Sequence, residues 1–169
     1  MYTQHYEENI PIASSQTDVF AYVDDHARLS SHMTKSSWMM GGSRMDVLVD
    51  AGHGQRVGSH IRVSGKIFGA SLFLDEVITR YEPPRRKEWE TVGEPQLIVM
   101  GQYQMKVEVE PQGDVSIFRV SIDYKMPIRN SWLGKLFGAV YAWWCVRQMI
   151  KSVCAQFPPR ELRESGFGK

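Results

Sequence analysis

Cysteine is scarce in this sequence, with only two residues, Cys145 and Cys154, among 169. Both fall on one predicted helix, where their separation along the axis is about 13 Å and excludes a disulfide between them. Free thiols fit a reducing compartment. Residues 1–10 also lack the apolar segment of a secretory signal, so we predict a cytoplasmic protein.

The sequence also lacks an excess of charge of either sign. Its 20 lysines and arginines oppose 19 aspartates and glutamates, which gives a net charge of +1. A nucleic-acid-binding protein needs a clustered basic face. The basic run Arg85–Lys87 is short and is predicted to be a solvated turn, so no nucleic-acid partner is predicted.

Motifs for a metal or a cofactor are missing as well. The five histidines show no HExxH or other metal-ligand spacing. The segment Gly52–Gly58 lacks the lysine of a phosphate-binding loop, and no helix is expected after it, so it is predicted to be a hairpin turn. Neither cysteine neighbours a histidine in sequence, which leaves a thiol nucleophile unsupported. We therefore predict no metal and no cofactor.

One segment, Ser131–Phe157, has the length of a membrane span but carries Lys135, Arg147 and Lys151 within it. A charge near the centre of a spanning helix is costly. The apolar residues instead recur in steps of three or four, which predicts one face of an amphipathic helix. That face comprises Leu133, Leu136, Val140, Trp143, Val146, Ile150, Val153 and Phe157. Since one helix cannot bury such a face alone, residues 44–127 are predicted to form a sheet against it.

The N-terminal part of the chain combines strand and helix patterns. Residues 2–12 are strand-like, and Ser14 or Ser15 can cap a helix over residues 16–24 that carries Asp18 in its first turn. A second helical turn or two is predicted to run to about Met33, and residues 34–43 are predicted to form a loop.

From Met45 to Tyr124 the apolar residues alternate with polar ones, and glycine and proline mark the turns between six predicted strands. A short strand is predicted at residues 88–92, with turns at 93–95 and 111–114. Strands followed by one long helix predict an α+β domain with an antiparallel sheet of about seven strands. We expect a single domain over residues 1–157 and a polar tail over residues 158–169.

Three stretches of the sequence resemble the SRPBCC superfamily, which includes START-like lipid-binding domains. Residues 10–13 with 19–25 (IPIA and VFAYVDD) are similar to its first strand and helix, and residues 76–89 are similar to its mid-sheet hairpin. Residues 101–103 with 122–127 (GQY and IDYKMP) are similar to its last two strands. The resemblance extends from about residue 5 to residue 157.

This resemblance implies a helix-grip fold, in which a curved sheet wraps around the C-terminal helix and leaves a cavity. Members of the superfamily hold lipids, sterols, quinones, polyketides or hormones in this cavity, and some are enzymes. The resemblance implies a binding site, but the fold alone does not define a reaction.

An apolar cavity between sheet and helix is the first candidate site. Its lining would come from inward strand positions and from the helix: Met45, Val47, Ile61, Val63, Tyr103, Met105, Phe118, Val120, Ile122, Tyr124, Leu136, Val140, Trp143 and Ile150. The alternative is that these residues form a packed core, which is the commoner role of an apolar face. With the resemblance, they predict binding of a hydrophobic small molecule such as a lipid, quinone, polyketide or sterol.

Glu76 is a candidate catalytic residue, because it lies on the same face of its predicted strand as the apolar residues Leu72, Leu74 and Ile78. A carboxylate inside a cavity could act as a general acid or base, as in an enzyme of the polyketide cyclase/dehydrase kind. The alternative, which we favour from sequence, is an exposed or salt-bridged glutamate. Its partner would then be Arg62 or Arg119. Tyr103 and Tyr124 could bind a ligand carbonyl or could be core residues with satisfied hydroxyls.

A second aromatic stripe on the long helix is a candidate docking surface for a membrane or a protein partner. Its predicted members are Trp38, Trp132, Phe137, Tyr141 and Trp144. The alternative is that the short helices and the loop at residues 34–43 cover this stripe, because soluble domains seldom expose large apolar patches.

Overall fold

The computed structural model describes residues 4–25, 28, 45–67, 70–127 and 131–157. Its elements are β1 (Gln4–Ile12), α1 (Gln16–Asp24), β2 (Met45–Val49), β3 (His60–Ile67), β4 (Ala70–Glu82), β5 (Arg86–Gln96), β6 (Tyr103–Gln112), β7 (Val115–Tyr124) and α2 (Ser131–Gln156). The predicted helical turn near Met33, the loop that contains Trp38, and the tail at residues 158–169 lie outside the described residues.

The strands form one antiparallel sheet in the order β1-β7-β6-β5-β4-β3-β2. Strands β2 to β7 follow one another as a meander, and β1 returns to pair with β7. The sheet is curved, and α2 is the long C-terminal helix. The predicted α+β class and the antiparallel sheet are therefore confirmed.

Helix α1 begins where the sequence predicted. The hydroxyl oxygen of Ser15 accepts a hydrogen bond from the main-chain nitrogen of Asp18 at 3.1 Å, so Ser15 is the N-cap. The carboxylate of Asp18 lies in the first turn, where the helix dipole stabilises a negative charge. Val19 and Val23 are fully buried and attach the helix to the core.

Strand β5 is longer than predicted, and the expected turn at residues 93–95 is wrong. The strand continues to Gln96 although Gly93 has a positive φ of 69°. The β4–β5 register shifts between Phe73 and Asp75, which is the signature of a β-bulge that lets a strand bend and continue. Pro95 is tolerated because β5 pairs with β6 only up to Glu90.

The turn between β2 and β3 is held by the carboxylate of Asp50. It accepts hydrogen bonds from the Ser59 hydroxyl at 2.5 Å, the His60 main-chain nitrogen at 2.9 Å and the Gly52 nitrogen at 2.8 Å. The bonds from Ser59 and His60 are the main reason that the pKa of Asp50 falls to about 2. The segment Gly52–Gly58 is thus the hairpin turn that was predicted.

Lys87 is fully buried, which contradicts the predicted solvated turn. Its Nζ donates to the main-chain oxygen of Asp24 at 2.8 Å and lies 3.0 Å from the Asp24 Oδ1 atom. The Oδ2 atom accepts hydrogen bonds from the Tyr81 hydroxyl at 2.8 Å and the Gln55 amide at 3.1 Å. Burial lowers the pKa of Lys87, and the charge of Asp24 opposes that change. This pair attaches the C-terminal end of α1 to the sheet.

The outer face of the sheet is charged. Glu108 lies within ion-pair distance of Arg86 at 3.4 Å, Lys106 at 3.2 Å and Arg119 at 3.8 Å, and Glu88 also pairs with Arg86. Opposite charges on neighbouring strands stabilise this arrangement in water. The surface of the sheet that suits an apolar ligand is therefore the inner face.

The long helix turns a different face to the sheet than its apolar spacing predicted. The predicted inward residues Leu136, Val140 and Trp143 are exposed, Leu136 by 60%. A β-carbon at Gly138 would lie 3.2 Å from the Val99 carbonyl oxygen and 3.4 Å from the Tyr124 ring. A β-carbon at Gly134 would clash with the Pro127 Cδ atom. Because both positions are crowded, glycine and alanine mark the inward face of the first turns. The buried residues of the helix include Gly134, Gly138, Ala142, Trp144, Val146, Met149, Ile150 and Val153.

None of the helices within the described ranges has the length and apolar character needed to cross a bilayer. Cys145 and Cys154 are both free thiols.

We predict that Asp24→Asn lowers the free energy of unfolding by about 3 kcal/mol, because it leaves the buried charge of Lys87 uncompensated. Urea unfolding monitored by circular dichroism measures the loss. The matched control is Asp25→Asn, which removes an exposed ion pair with Arg28 and the smaller of the two carboxylate charges acting on Lys87, and should cost less than about 1 kcal/mol. Equal losses for the two variants would contradict the anchoring role of the buried pair.

Candidate functional site

The inner face of the sheet gathers the strand residues that were predicted to line the site. All ten belong to or pack against one interior cluster. Buried members are Met45, Ile61, Val63, Tyr103, Met105, Phe118, Val120, Ile122 and Tyr124, and Val47 is half-buried at the same surface. Ile150 of α2 joins this cluster, so the structure brings eleven of the fourteen predicted residues together.

Leu136, Val140 and Trp143 do not join the interior, and this part of the site prediction is wrong. Two apolar stripes run along α2, and the sequence interpretation chose the outward one in the N-terminal half of the helix. The opposite error affects the docking surface. Trp144 is buried and Tyr141 packs against the core, whereas Trp132 and Phe137 are exposed, as the docking alternative requires.

A buried carboxylate interrupts the apolar interior. Glu76 is only 2% exposed, on the inner face of β4 between Leu74 and Ile78. The Tyr103 hydroxyl, on the inner face of β6, donates a hydrogen bond to its Oε1 atom at 2.5 Å. The prediction that Glu76 is exposed was therefore wrong. The guanidinium of Arg62 pairs instead with Asp75, which has the opposite strand parity.

Helix α2 contributes two further polar side chains to this region. Tyr141 and Cys145, both half-buried, lie one turn apart, so that their hydroxyl and thiol groups are close enough to influence one another. The charge of Glu76 helps to raise the pKa of Tyr103, Tyr141 and Cys145, so the strand and helix groups lie within electrostatic range of one another. We call Glu76, Tyr103, Tyr141 and Cys145 the interior polar cluster.

The protonation states of this cluster follow from its surroundings. Burial is the main cause that raises the pKa of Tyr103 well above 10 and that of Cys145 to about 12. The pKa of Tyr141 is also well above 10, chiefly because of the neighbouring Cys145. Both tyrosines are thus neutral hydrogen-bond donors near pH 7, and Cys145 is a thiol rather than a nucleophilic thiolate.

Another buried polar group, Lys87 with Asp24, is engaged in holding α1 and offers less to a ligand. Sequence reasoning missed it, because a lysine in a basic run is usually solvated. The sequence did contain one indication of burial: Lys87 is two residues from Trp89, so the two side chains lie on the same face of the strand, and Trp89 is buried. Within the described residues, no group of three histidine, cysteine, aspartate or glutamate side chains is placed to hold a metal ion.

A curved antiparallel sheet with a short helix after β1 and a long C-terminal helix defines the helix-grip class of α+β domains. The sequence matches the family described as polyketide cyclase / dehydrase and lipid transport over residues 3–153. The chain therefore belongs to this family, and the resemblance to the SRPBCC superfamily is confirmed.

Solved structures show the same fold at low sequence identity. Truncated norcoclaurine synthase from Thalictrum flavum matches with a TM-score of 0.64 and 13% identity, over 90% of this chain and 92% of that chain. Ara h 8.0201 matches with a TM-score of 0.58 and 11% identity, over 90% of this chain and 96% of that chain. A protein from Thermus thermophilus has the same TM-score, 0.58, with 11% identity, over 90% and 92% of the two chains. No curated protein sequence matches the chain significantly.

The state of Cys145 can be tested by alkylation with iodoacetamide at pH 8. A pKa of about 12 leaves a thiolate fraction about a thousandfold below that of a thiol with the reference value of 9.0. The greater nucleophilicity of a more basic thiolate recovers part of that loss. We therefore expect Cys145 to react about thirtyfold more slowly in the folded protein than in urea.

Peptide mapping by mass spectrometry separates the label on Cys145 from that on Cys154. The labelling rate of Cys145 should rise continuously with pH up to about pH 12, because its pKa is raised to about 12. A rate in the folded protein equal to that in urea would show that the thiol is neither buried nor protonated as described.

Proposed function

We propose that this protein binds a hydrophobic small molecule between the inner face of the sheet and α2, with the interior polar cluster in contact with a polar group of the ligand. Lipids, quinones, polyketides and sterols have this combination of a large apolar body and a few oxygen atoms. The observation that carries the proposal is the buried Glu76–Tyr103 hydrogen bond within a largely apolar interior.

The apolar part of the interior would supply affinity. Side chains of β3, β4, β6 and β7 present aliphatic and aromatic groups towards α2. Burial of apolar ligand surface against them contributes about 25 cal/mol per Å². Buried methionines such as Met100, Met105 and Met149 suit ligands of varied shape, because the side chain is flexible and polarizable.

The polar cluster would supply orientation. Buried polar groups are costly in an apolar environment unless they form hydrogen bonds, and ligand pockets typically place a few of them on an apolar wall. Here β4 and β6 contribute Glu76 and Tyr103, and α2 contributes Tyr141 and Cys145 from the opposite side. The neutral tyrosine hydroxyls can donate to a carbonyl or carboxylate oxygen, whereas Glu76 can accept from a ligand hydroxyl.

A second candidate function is an enzyme of the polyketide cyclase/dehydrase kind that uses the same interior. The observation in its favour is that the Tyr103 hydroxyl donates to the Glu76 Oε1 atom at 2.5 Å. The two groups could together transfer a proton to or from a bound polyketide chain. The family description includes both cyclase/dehydrase and lipid transport members, so it is compatible with either function.

We also propose that residues 1–157 form a single domain followed by the predicted tail at residues 158–169, and that the protein is cytoplasmic, because its thiols are free. Neither depends on which hydrophobic ligand is bound.

Native mass spectrometry of the protein as purified from cells tests the binding function, followed by solvent extraction of any bound molecule. We expect a reproducible adduct of a few hundred daltons that is lost on denaturation. A bare protein mass, together with no uptake of the dye 1-anilinonaphthalene-8-sulfonate, would contradict the proposal and would indicate an interior filled by side chains.

Tyr103→Phe tests the role of the polar cluster. It should weaken the binding of the oxygen-bearing extracted molecule about tenfold, the equivalent of one hydrogen bond, while the affinity for an apolar analogue changes little. The matched control is Tyr22→Phe, which removes a hydroxyl bonded to the Ser152 carbonyl oxygen at 3.1 Å outside the cluster. An equal effect on both ligands would exclude a direct contact with the ligand oxygen.

The enzyme alternative predicts that Glu76→Gln abolishes conversion of a bound polyketide chain but preserves its binding. Product analysis by mass spectrometry decides the point, because unchanged conversion in this variant would exclude Glu76 as the proton-transfer group.

A further inference from the structure

The outward face of α2 carries large apolar side chains. Trp132 and Leu136 are exposed by 63% and 60%, and Phe137, Val140 and Trp143 are exposed as well. We call these five residues the α2 stripe. A contiguous exposed patch of this kind marks an interaction surface, whereas single exposed apolar residues need no explanation.

The spacing of the stripe makes it continuous. At about 100° per residue, its members fall within an arc of about 140° on the helix, and Trp132 and Trp143 are about 16 Å apart along the axis. The tryptophans stand at the two ends of this segment, with Leu136, Phe137 and Val140 between them. The stripe is thus about three turns long and faces away from the sheet.

The charges on α2 indicate the kind of partner. Lys135, Arg147 and Lys151 are all exposed, and the helix contains neither aspartate nor glutamate between Ser131 and Gln156. Arg147 and Lys151 continue the same arc beyond Trp143. The Arg147 guanidinium lies 5.2 Å from the Trp143 ring centroid and 3.4 Å from the Glu8 carboxylate, which balances part of this charge.

We propose that the α2 stripe docks on the surface of an anionic phospholipid bilayer, with the helix in the plane of the interface. Tryptophan and aliphatic side chains would enter the boundary between headgroups and acyl chains, and the three cations would meet lipid phosphates. A second copy of the chain fits less well, because apposed stripes would bring the cations of both helices together. This docking goes beyond ligand binding and does not require it.

Vesicle flotation of the full-length protein tests this proposal. Wild-type protein should float with phosphatidylcholine vesicles that contain phosphatidylglycerol, much less with pure phosphatidylcholine, and less at high salt. The variant W132S/L136S should lower partitioning by about tenfold or more, because it removes two large apolar side chains from the interface. The variant R147Q/K151Q should lose the preference for anionic vesicles.

The matched control is L48S/V57S, which replaces two residues that are exposed by 66% and 62% elsewhere on the surface and should float like wild type. Circular dichroism and the melting temperature confirm that each variant is folded. The proposal is overturned if wild type does not float, if it prefers neither kind of vesicle, or if W132S/L136S floats unchanged. A dimer in solution that W132S/L136S dissociates would also overturn it, in favour of a second copy as the occupant.

Discussion

The close contact of α2 with the chain at Gly138 sets how the inner face of the sheet is covered. One helix lies against a concave surface, and at this point its backbone approaches the Val99 carbonyl and the Tyr124 ring so closely that even a β-carbon would require these neighbours to give way. The large apolar residues of these turns are therefore directed outward. The same rotation of the helix places Tyr141 and Cys145 towards Glu76 and Tyr103. The interior polar cluster and the exposed α2 stripe are thus two consequences of a single packing constraint.

Two of the buried polar groups in the described part of the chain differ in what surrounds them. Lys87 and Asp24 form a cation–carboxylate pair in which Tyr81 and Gln55 satisfy the second carboxylate oxygen, so charge and hydrogen bonds are balanced within the structure. The interior polar cluster instead combines a carboxyl group with hydroxyl and thiol groups that burial keeps protonated. The first arrangement is suited to holding α1 in place, and the second is suited to an oxygen atom of a ligand.

Strand parity was the reliable part of the sequence information. Side chains of a strand alternate between its two faces, so once one face is known to be buried the inward residues are fixed. The inward positions of β3, β6 and β7 could therefore be assigned without coordinates. The helix could not be assigned in the same way, because α2 is apolar around most of its circumference and the glycines that mark the contact contribute no hydrophobic signal. Glu76 and Lys87 were misjudged because charged residues are seldom buried, although both share parity with buried neighbours. The bulge at Gly93 was mistaken for a turn, since the same residue types favour both.

The central claim is that an apolar ligand enters the interior beside the polar cluster. Methyl NMR of methionine-labelled protein titrated with 1-anilinonaphthalene-8-sulfonate tests it directly, because Met105 of β6 and Met149 of α2 are buried on the two sides of that interior. Saturable shifts of both methyl signals are predicted, and they should be lost when the extracted natural ligand displaces the dye. Dye binding that leaves both signals unchanged would contradict the account, because it would place the bound molecule outside the space between sheet and helix.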